Sequence, residues 1–197
     1  TMFMPIEKSE MVGSGSCGVP CPFRDCKIVD EAGQELPNGE MGELLVRGPG
    51  IMGGYYNNPQ ATEEVFADGW FRTGDLFRKD EDGNFFIVGR KKDMIRRSAE
   101  NIAAREVESV LNAVSSVAEV AVIGVPDPLR GEEVKAYIKL KDGFDRSDAT
   151  LGAIIDEARK GLAPFKVPRF YTFVDDFPRT VSLKIAKPQI SAGISDL

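Results

Sequence analysis

Fixed charges crowd around glycines in the stretch GWFRTGDLFRKDEDGNFFIVGRKKDMI, from Gly69 to Ile95. A carboxylate such as Asp75, set beside Gly74, can accept two hydrogen bonds from neighbouring hydroxyls; a turn aspartate capping its own backbone would look the same. Arg90 follows a strand-like run and Gly89, and its planar guanidinium fork suits paired oxygens, as it would an ordinary surface ion pair. Thr73 and Phe71 either shape the same rim or serve as plain strand packing. Lys92 and the basic pair Arg96 and Arg97 come directly after. The spacing reads as a ligand rim joined to a hinge, and a solvated loop is the plain alternative.

What the chain lacks narrows the chemistry. It contains no histidine, which excludes Ser-His-Asp and Cys-His nucleophiles and any zinc site that needs imidazole. The three cysteines, Cys17, Cys21 and Cys26, are an odd number and give no closed disulfide framework. CGVPC is too short a cluster for a four-ligand site, so no metal residue is assigned and the thiols read as structural or incidental. A formal charge of -6 argues against a nucleic-acid partner, while local basic clusters can still hold a phosphate-bearing small molecule. No apolar run reaches the length of a transmembrane segment, and the first residues lack the basic, apolar and small-residue series of a signal peptide. The expectation is a cytoplasmic protein. A chain that starts at Thr1 is expected to be an excised piece.

The elements that must position these residues fall into two textures. With 42% apolar and 28% charged residues over 197 positions, the chain is globular and long enough for two small cores. Residues 1–91 read as short strands punctuated by glycine, among them Glu43 to Arg47 and a pair of strands around the Asp82-Gly83 turn, with a short helix after Pro59. The period then changes. In NIAAREVESVLNAV the apolar residues Ile102, Val107, Val110, Leu111 and Val114 recur at helical spacing, which turns Arg105, Glu106, Glu108 and Asn112 outward. VAEVAVIGV is a strand buried on both faces and ended by Pro126 and Pro128. EEVKAYIKL alternates like a strand with one wet face. A second amphipathic helix covers residues 149–162, FYTFVDDF is a final strand, and an extended basic tail follows. The fold class is α+β: a small β-rich subdomain over 1–91, then a compact, mobile α+β domain over 92–197, with a hinge at 90–93.

Several separated segments carry a family likeness. YYNNPQATEEVFADGWFRTGDL, GRKKDMIRRSAENI, REVESVL and PRTVSLKI resemble, in order and spacing, the carboxy-terminal part of the acyl-adenylate-forming (AMP-binding) enzymes. These include acyl-CoA synthetases, adenylation domains of peptide synthetases and beetle luciferases. The likeness covers nearly the whole chain and is strongest to acyl-CoA synthetases. It implies a two-step ligase: a carboxylic acid and ATP, with Mg²⁺, give an acyl-adenylate, and a thiol, usually that of coenzyme A, then takes the acyl group. Family members carry the acyl pocket and a phosphate loop on a large amino-terminal domain. VGSGSCGVP is glycine-rich but lacks the Gly-Lys-Ser/Thr that a phosphate loop requires. The expectation is therefore the end of the large domain plus the whole small domain, a piece inactive alone that needs the missing amino-terminal domain as its partner.

By resemblance, Asp75 matches an aspartate that binds the ribose hydroxyls and Arg90 an arginine at the ribose or phosphate, with Thr73 and Phe71 beside them. Lys92 matches the hinge position. Lys184, in FPRTVSLKI, matches the adenylation lysine that meets the carboxylate and α-phosphate, where a positive charge offsets charge developing at phosphorus; a lysine on a solvated tail is the bland alternative. Arg96, Arg97, Ser98, Ala99 and Glu100 correspond to the loop that faces the thiol, the two arginines toward coenzyme A phosphates. Two positions depart from the pattern, because Leu183 and Ala99 stand where the family usually has glycine, which adds bulk and removes easy access to positive φ. Transfer to a carrier-protein thiol, and a non-catalytic nucleotide-binding or interaction module, are the competing functions. The acyl substrate is not encoded in these residues.

Overall fold

The computed structural model describes residues 2–193 and divides into two compact units, Thr1–Lys92 and Asp93–Leu197. The first unit is an antiparallel sheet of seven strands: β1 (Met2–Phe3), β2 (Ser16–Pro20), β3 (Asp25–Val29), β4 (Met41–Arg47), β5 (Phe66–Ala67), β6 (Trp70–Lys79) and β7 (Phe85–Arg90). The main path runs β1-β2-β7-β6-β4-β3, with β5 against the start of β6. The unit's α-helix among the described residues, α1 (Pro59–Val65), is capped by Asn58, whose side chain accepts the Ala61 N–H at 3.0 Å, and a 3₁₀ helix covers Ile6–Met11.

Alternation along the strands builds its core, since residues two apart share a face. Ile28, Leu44, Val46, Phe77 and Phe85 meet on one side. Gly42 is needed where β4 passes the residue 29–36 turn, because a Cβ there would lie 2.3 Å from the Val29 carbonyl oxygen. The β6–β7 connection contains the Asp82-Gly83 turn, with the Gly83 N–H donating to the Asp80 carbonyl and Asp80 accepting from both the backbone and side chain of Asn84.

The second unit opens with a tight hairpin, β8 (Met94–Arg97) and β9 (Glu100–Ala103), followed by α2 (Ala104–Asn112). The helix begins at Ala104 and not in Asn101–Ile102, because that segment pairs with β8, Ile95 opposite Ile102. Next come β10 (Val117–Asp127), β11 (Gly131–Leu140), α3 (Asp148–Gly161), β12 (Phe170–Phe173) and α4 (Lys187–Gly193). The sheet order is β10-β11-β8-β9, and β12 lies parallel to β11 after the α3 crossover. α3 is capped by Ser147, whose hydroxyl accepts the Thr150 N–H. α2 and α3 approach closely where Gly161 faces Val110; a Cβ on Gly161 would sit 2.7 Å from a Val110 methyl.

Three readings of this unit are corrected. β10 continues through Pro126, opposite Glu132; it is an edge strand, where proline is tolerated. Glu108 does not point to solvent but accepts the Val122 N–H at 2.8 Å and pairs with Lys187 at 2.6 Å. β11 has no wet face: Val134, Ala136 and Ile138 pack under α2 and α3, while Tyr137, with Ala121 of β10, is covered by Phe177 and by Ile190 of α4. Glu133 and Lys135 are therefore buried, at 0% and 6% exposure.

Candidate functional site

The most built local geometry of the first unit lies on β6. Arg72 pairs with Leu45 and Leu76 with Glu43, so residues 73–75 stand opposite Leu44 alone. On the other side Leu76 pairs with Gly89 and Phe77 with Ile87, which leaves Val88 as an extra residue of β7. These are β-bulges, devices that bend a strand and re-aim a side chain. Gly74 takes φ +68° inside the first one, a conformation that suits glycine and strains other residues.

The bulge gathers Thr73, Asp75 and Arg90. The Thr73 hydroxyl donates to the Leu44 carbonyl at 2.8 Å and accepts the Asp75 N–H at 3.1 Å. Arg90 Nε donates to Asp75 Oδ1 at 2.6 Å, with the aspartate side chain 30% and the arginine 49% exposed. Among the described residues Asp75 Oδ2 takes no hydrogen bond, so the carboxylate is fixed through one oxygen and open at the other. Phe71 is directed elsewhere: its ring packs on Phe66, centroids 5.4 Å apart, and against the core of the unit.

A second polar group was not anticipated. Glu43, 5% exposed, accepts from Arg72 at 2.7 Å and from Lys91 at 3.2 Å. Burial alone would raise its carboxyl, but the hydrogen bonds and charges of Arg72 and Lys91 outweigh that effect and hold it below the usual glutamate range. An acidic residue between Gly42 and the apolar run LLV was the available signal. Lys92 follows, exposed, in the single 3₁₀ turn Lys91–Asp93.

In the second unit, the thiol-side loop assigned by resemblance is the two-residue turn of the β8–β9 hairpin, with Arg97 opposite Glu100. Ser98, not Ala99, carries the positive φ, at +56°; a positive φ confined to the first turn residue is the type II′ pattern, which prefers glycine there. Ser98, Ala99 and Glu100 are exposed. Arg97 turns inward, Nε donating to both oxygens of Glu133 at 2.9 Å. Arg130 also pairs with Glu133, and Arg169 lies 3.9 Å from it. The Glu133 carboxyl is raised by burial, yet hydrogen bonds from Arg97 and Arg130 bring it below the ordinary range. The Arg96 backbone N–H donates to Glu132 at 2.6 Å. Glu106 accepts both its bonds from Lys166, at 2.7 Å.

Lys184 does not sit on an extended tail. Arg179 bridges Ile185, the Thr180 N–H donates to the Lys184 carbonyl at 2.8 Å, and the Leu183 N–H returns to Thr180 at 2.9 Å. Arg179 anchors the loop to Glu119 at 2.8 Å. Leu183 adopts φ +63° with 75% exposure, so the residue in the usual glycine position keeps a glycine-like backbone. The Lys184 side chain is exposed and, among the described residues, its ammonium has no ion pair. Lys187, three residues on, is held by Glu108.

Among the described residues no group of three or more cysteines, aspartates or glutamates comes together in a way that could hold a metal ion. No helix among them is long and apolar enough to cross a membrane.

Comparison with known proteins agrees with this architecture. The family described as "AMP-binding enzyme" matches residues 1–56 and "AMP-binding enzyme C-terminal domain" matches residues 106–184. A long-chain-fatty-acid–CoA ligase of Bacillus subtilis (strain 168) is 43% identical over 177 residues, covering 89% of this chain and 31% of that protein. A feruloyl-CoA synthase of Amycolatopsis sp is 44% identical over 176 residues, 89% of this chain and 35% of that one. The structure of o-succinylbenzoate CoA synthetase from Bacillus subtilis with its acyl-adenylate intermediate superposes with a TM-score of 0.84 at 35% identity, over 92% of this chain and 36% of that enzyme. The chain belongs to the acyl-adenylate-forming, AMP-binding enzyme superfamily, and its relatives are acyl-CoA ligases. It spans about a third of the length of the curated relatives it matches.

Proposed function

We propose that this chain is the carboxy-terminal part of a cytoplasmic ATP-dependent carboxylate–CoA ligase and serves both steps of its reaction. In the first step a carboxylate oxygen attacks the α-phosphorus of ATP, the bond to pyrophosphate breaks, and an acyl-adenylate forms. In the second the coenzyme A sulfur attacks the acyl carbon, its proton passes to solvent, and AMP leaves with the bonding pair, giving a thioester. The bulge-held Asp75 is the observation that carries this reading. One oxygen is tied to Arg90 and the other is open to accept the vicinal hydroxyls of a ribose.

Each further residue has a stated part. Thr73 sets the Asp75 backbone, and Phe71 backs the strand that bears it. Lys184, on a loop braced by its own backbone bonds, brings an ammonium to the carboxylate and α-phosphate. Lys92 is the hinge between a subdomain over 1–91 and a mobile domain over 92–197; an exposed side chain in a single 3₁₀ turn suits a position whose φ/ψ must change. Ser98, Ala99 and Glu100 form the thiol-facing edge, with Arg96 at its base for coenzyme A phosphates, while Arg97, turned in to Glu133, braces the turn instead of reaching a phosphate. The acyl pocket, the phosphate loop and the groups that meet Mg²⁺ belong to the amino-terminal domain, so the 197-residue chain alone is without ligase activity.

The test is exchange of labelled pyrophosphate into ATP by the full-length protein with a panel of carboxylic acids, followed by coenzyme A. Acid-dependent exchange and then acyl-CoA are expected. No exchange across a broad panel favours a nucleotide-binding module, and transfer only to a carrier protein favours an adenylation domain.

A further inference from the structure

We infer that Glu133 is a positioning residue for the thioester-forming step, holding the β8–β9 turn in one conformation from inside β11; this rests on the reading of that turn as the thiol-facing edge. A turn with serine at its positive-φ position is poorly fixed by its own sequence, so what holds it must come from outside the hairpin. Bonds from Arg96, Arg97 and Ser98 to the rest of the unit run to one short segment, residues 130–133. The Ser98 N–H donates to the Arg130 carbonyl at 2.7 Å, and the Arg96 N–H donates to the Glu132 carboxylate at 2.6 Å. Arg97 pairs across the sheet with Gly131 and reaches Glu133 with its guanidinium.

That segment is itself built to stay in place. Asp127 Oδ1 accepts the N–H groups of Leu129 and Arg130 at 3.0 and 2.9 Å, and Gly131 takes φ +79°. Glu133 then joins the two sides. Fully buried, it binds Arg97 from the hairpin and Arg130 from the loop whose carbonyl receives Ser98. An interior carboxylate is a poor choice for stability alone, since apolar side chains of similar volume commonly replace such pairs without loss. Its geometry instead couples two backbone segments through rigid guanidinium forks, the arrangement that fixes a loop to within a fraction of an ångström.

The experiment separates the two half-reactions in the full-length enzyme and follows amide exchange in this chain. In Glu133→Gln, acyl-adenylate formation in single turnover is expected within twofold of wild type, while capture of preformed adenylate by coenzyme A falls on the order of 10-fold to 100-fold, the sensitivity of an oriented reaction to a small misplacement. The Ser98 amide loses protection while the β10–β11 amides keep theirs. Should Glu133→Gln fail to fold, Arg130→Gln, at the exposed end of the cluster, is expected to give the same split to a smaller degree. Equal loss in both half-reactions, or unchanged capture in a folded variant, overturns the role of Glu133. A wild-type enzyme that makes acyl-adenylate but no thioester overturns the thiol-edge reading beneath it.

Discussion

Replacing Ser98 with glycine should stabilise the second unit, against the usual effect of introducing glycine. Ser98 holds φ +56°, and the left-handed conformation costs an L-residue about 1–2 kcal/mol. Glycine removes that cost but gives up about 0.5–1 kcal/mol more chain freedom on folding. Ser98 is exposed and, among the described residues, its hydroxyl makes no hydrogen bond, so little else changes. At the middle of both ranges the difference is a stabilisation of about 0.75 kcal/mol, or roughly 3–6 °C in Tm for a cooperative unit near a hundred residues. Thermal unfolding of this chain by far-UV circular dichroism measures the shift, with fluorescence of Trp70, the sole tryptophan and a member of the first unit, as an internal control. A second-unit transition that stays in place or moves down would refute the assignment of strain to Ser98. The same change at Ala99, whose φ is not positive, should only destabilise.

Asp75→Asn in the full-length enzyme is expected to raise the KM for ATP by about tenfold to a hundredfold, the loss of hydrogen bonds to a charged acceptor worth about 1.5–3 kcal/mol; a KM within twofold of wild type with native circular dichroism contradicts the ribose role. Arg72 and Lys91 outweigh burial and hold the Glu43 carboxyl below the usual glutamate range in the folded chain, so its contribution to stability is full above the ordinary glutamate range and disappears as pH falls through the depressed value. Glu43→Gln should therefore destabilise the first unit by about 1.5–3 kcal/mol near pH 7 and by much less near pH 3. Urea titrations followed at Trp70 check this, and an equal deficit at both pH values would show that the carboxylate charge is not what Arg72 and Lys91 recognise.

Much of the α+β architecture follows from local pattern. The Asp82-Gly83 turn and the helical spacing of Val107 and Leu111 each depend on neighbours a few residues away, and each forms as the pattern implies; the valine- and isoleucine-rich VAEVAVIGV run forms a strand with core residues on both faces. The failures share a cause in distance. Alternation in EEVKAYIKL says which residues share a face but not that Phe177 and Ile190, some forty to fifty residues downstream, return to cover the second one. Glu133 and Glu108 read as solvated for the same reason, since their partners Arg97 and Lys187 are remote in sequence. At the candidate site, the proximity of Asp75 to Arg90 depends on two register shifts, of which Gly74 was the only local trace. The strain near the hairpin turn belongs to Ser98, one residue before the position where the family pattern drew attention, because the II′ turn requires its positive φ at the first of the two residues.

The most direct test of the central claim is the split between half-reactions in full-length Lys184→Ala. Formation of acyl-adenylate from acid and ATP is expected to collapse by two or more orders of magnitude, as for loss of a charge-stabilising group, while capture of supplied acyl-adenylate by coenzyme A stays within a few-fold of wild type. Equal loss in both steps, or undiminished adenylation, would contradict it.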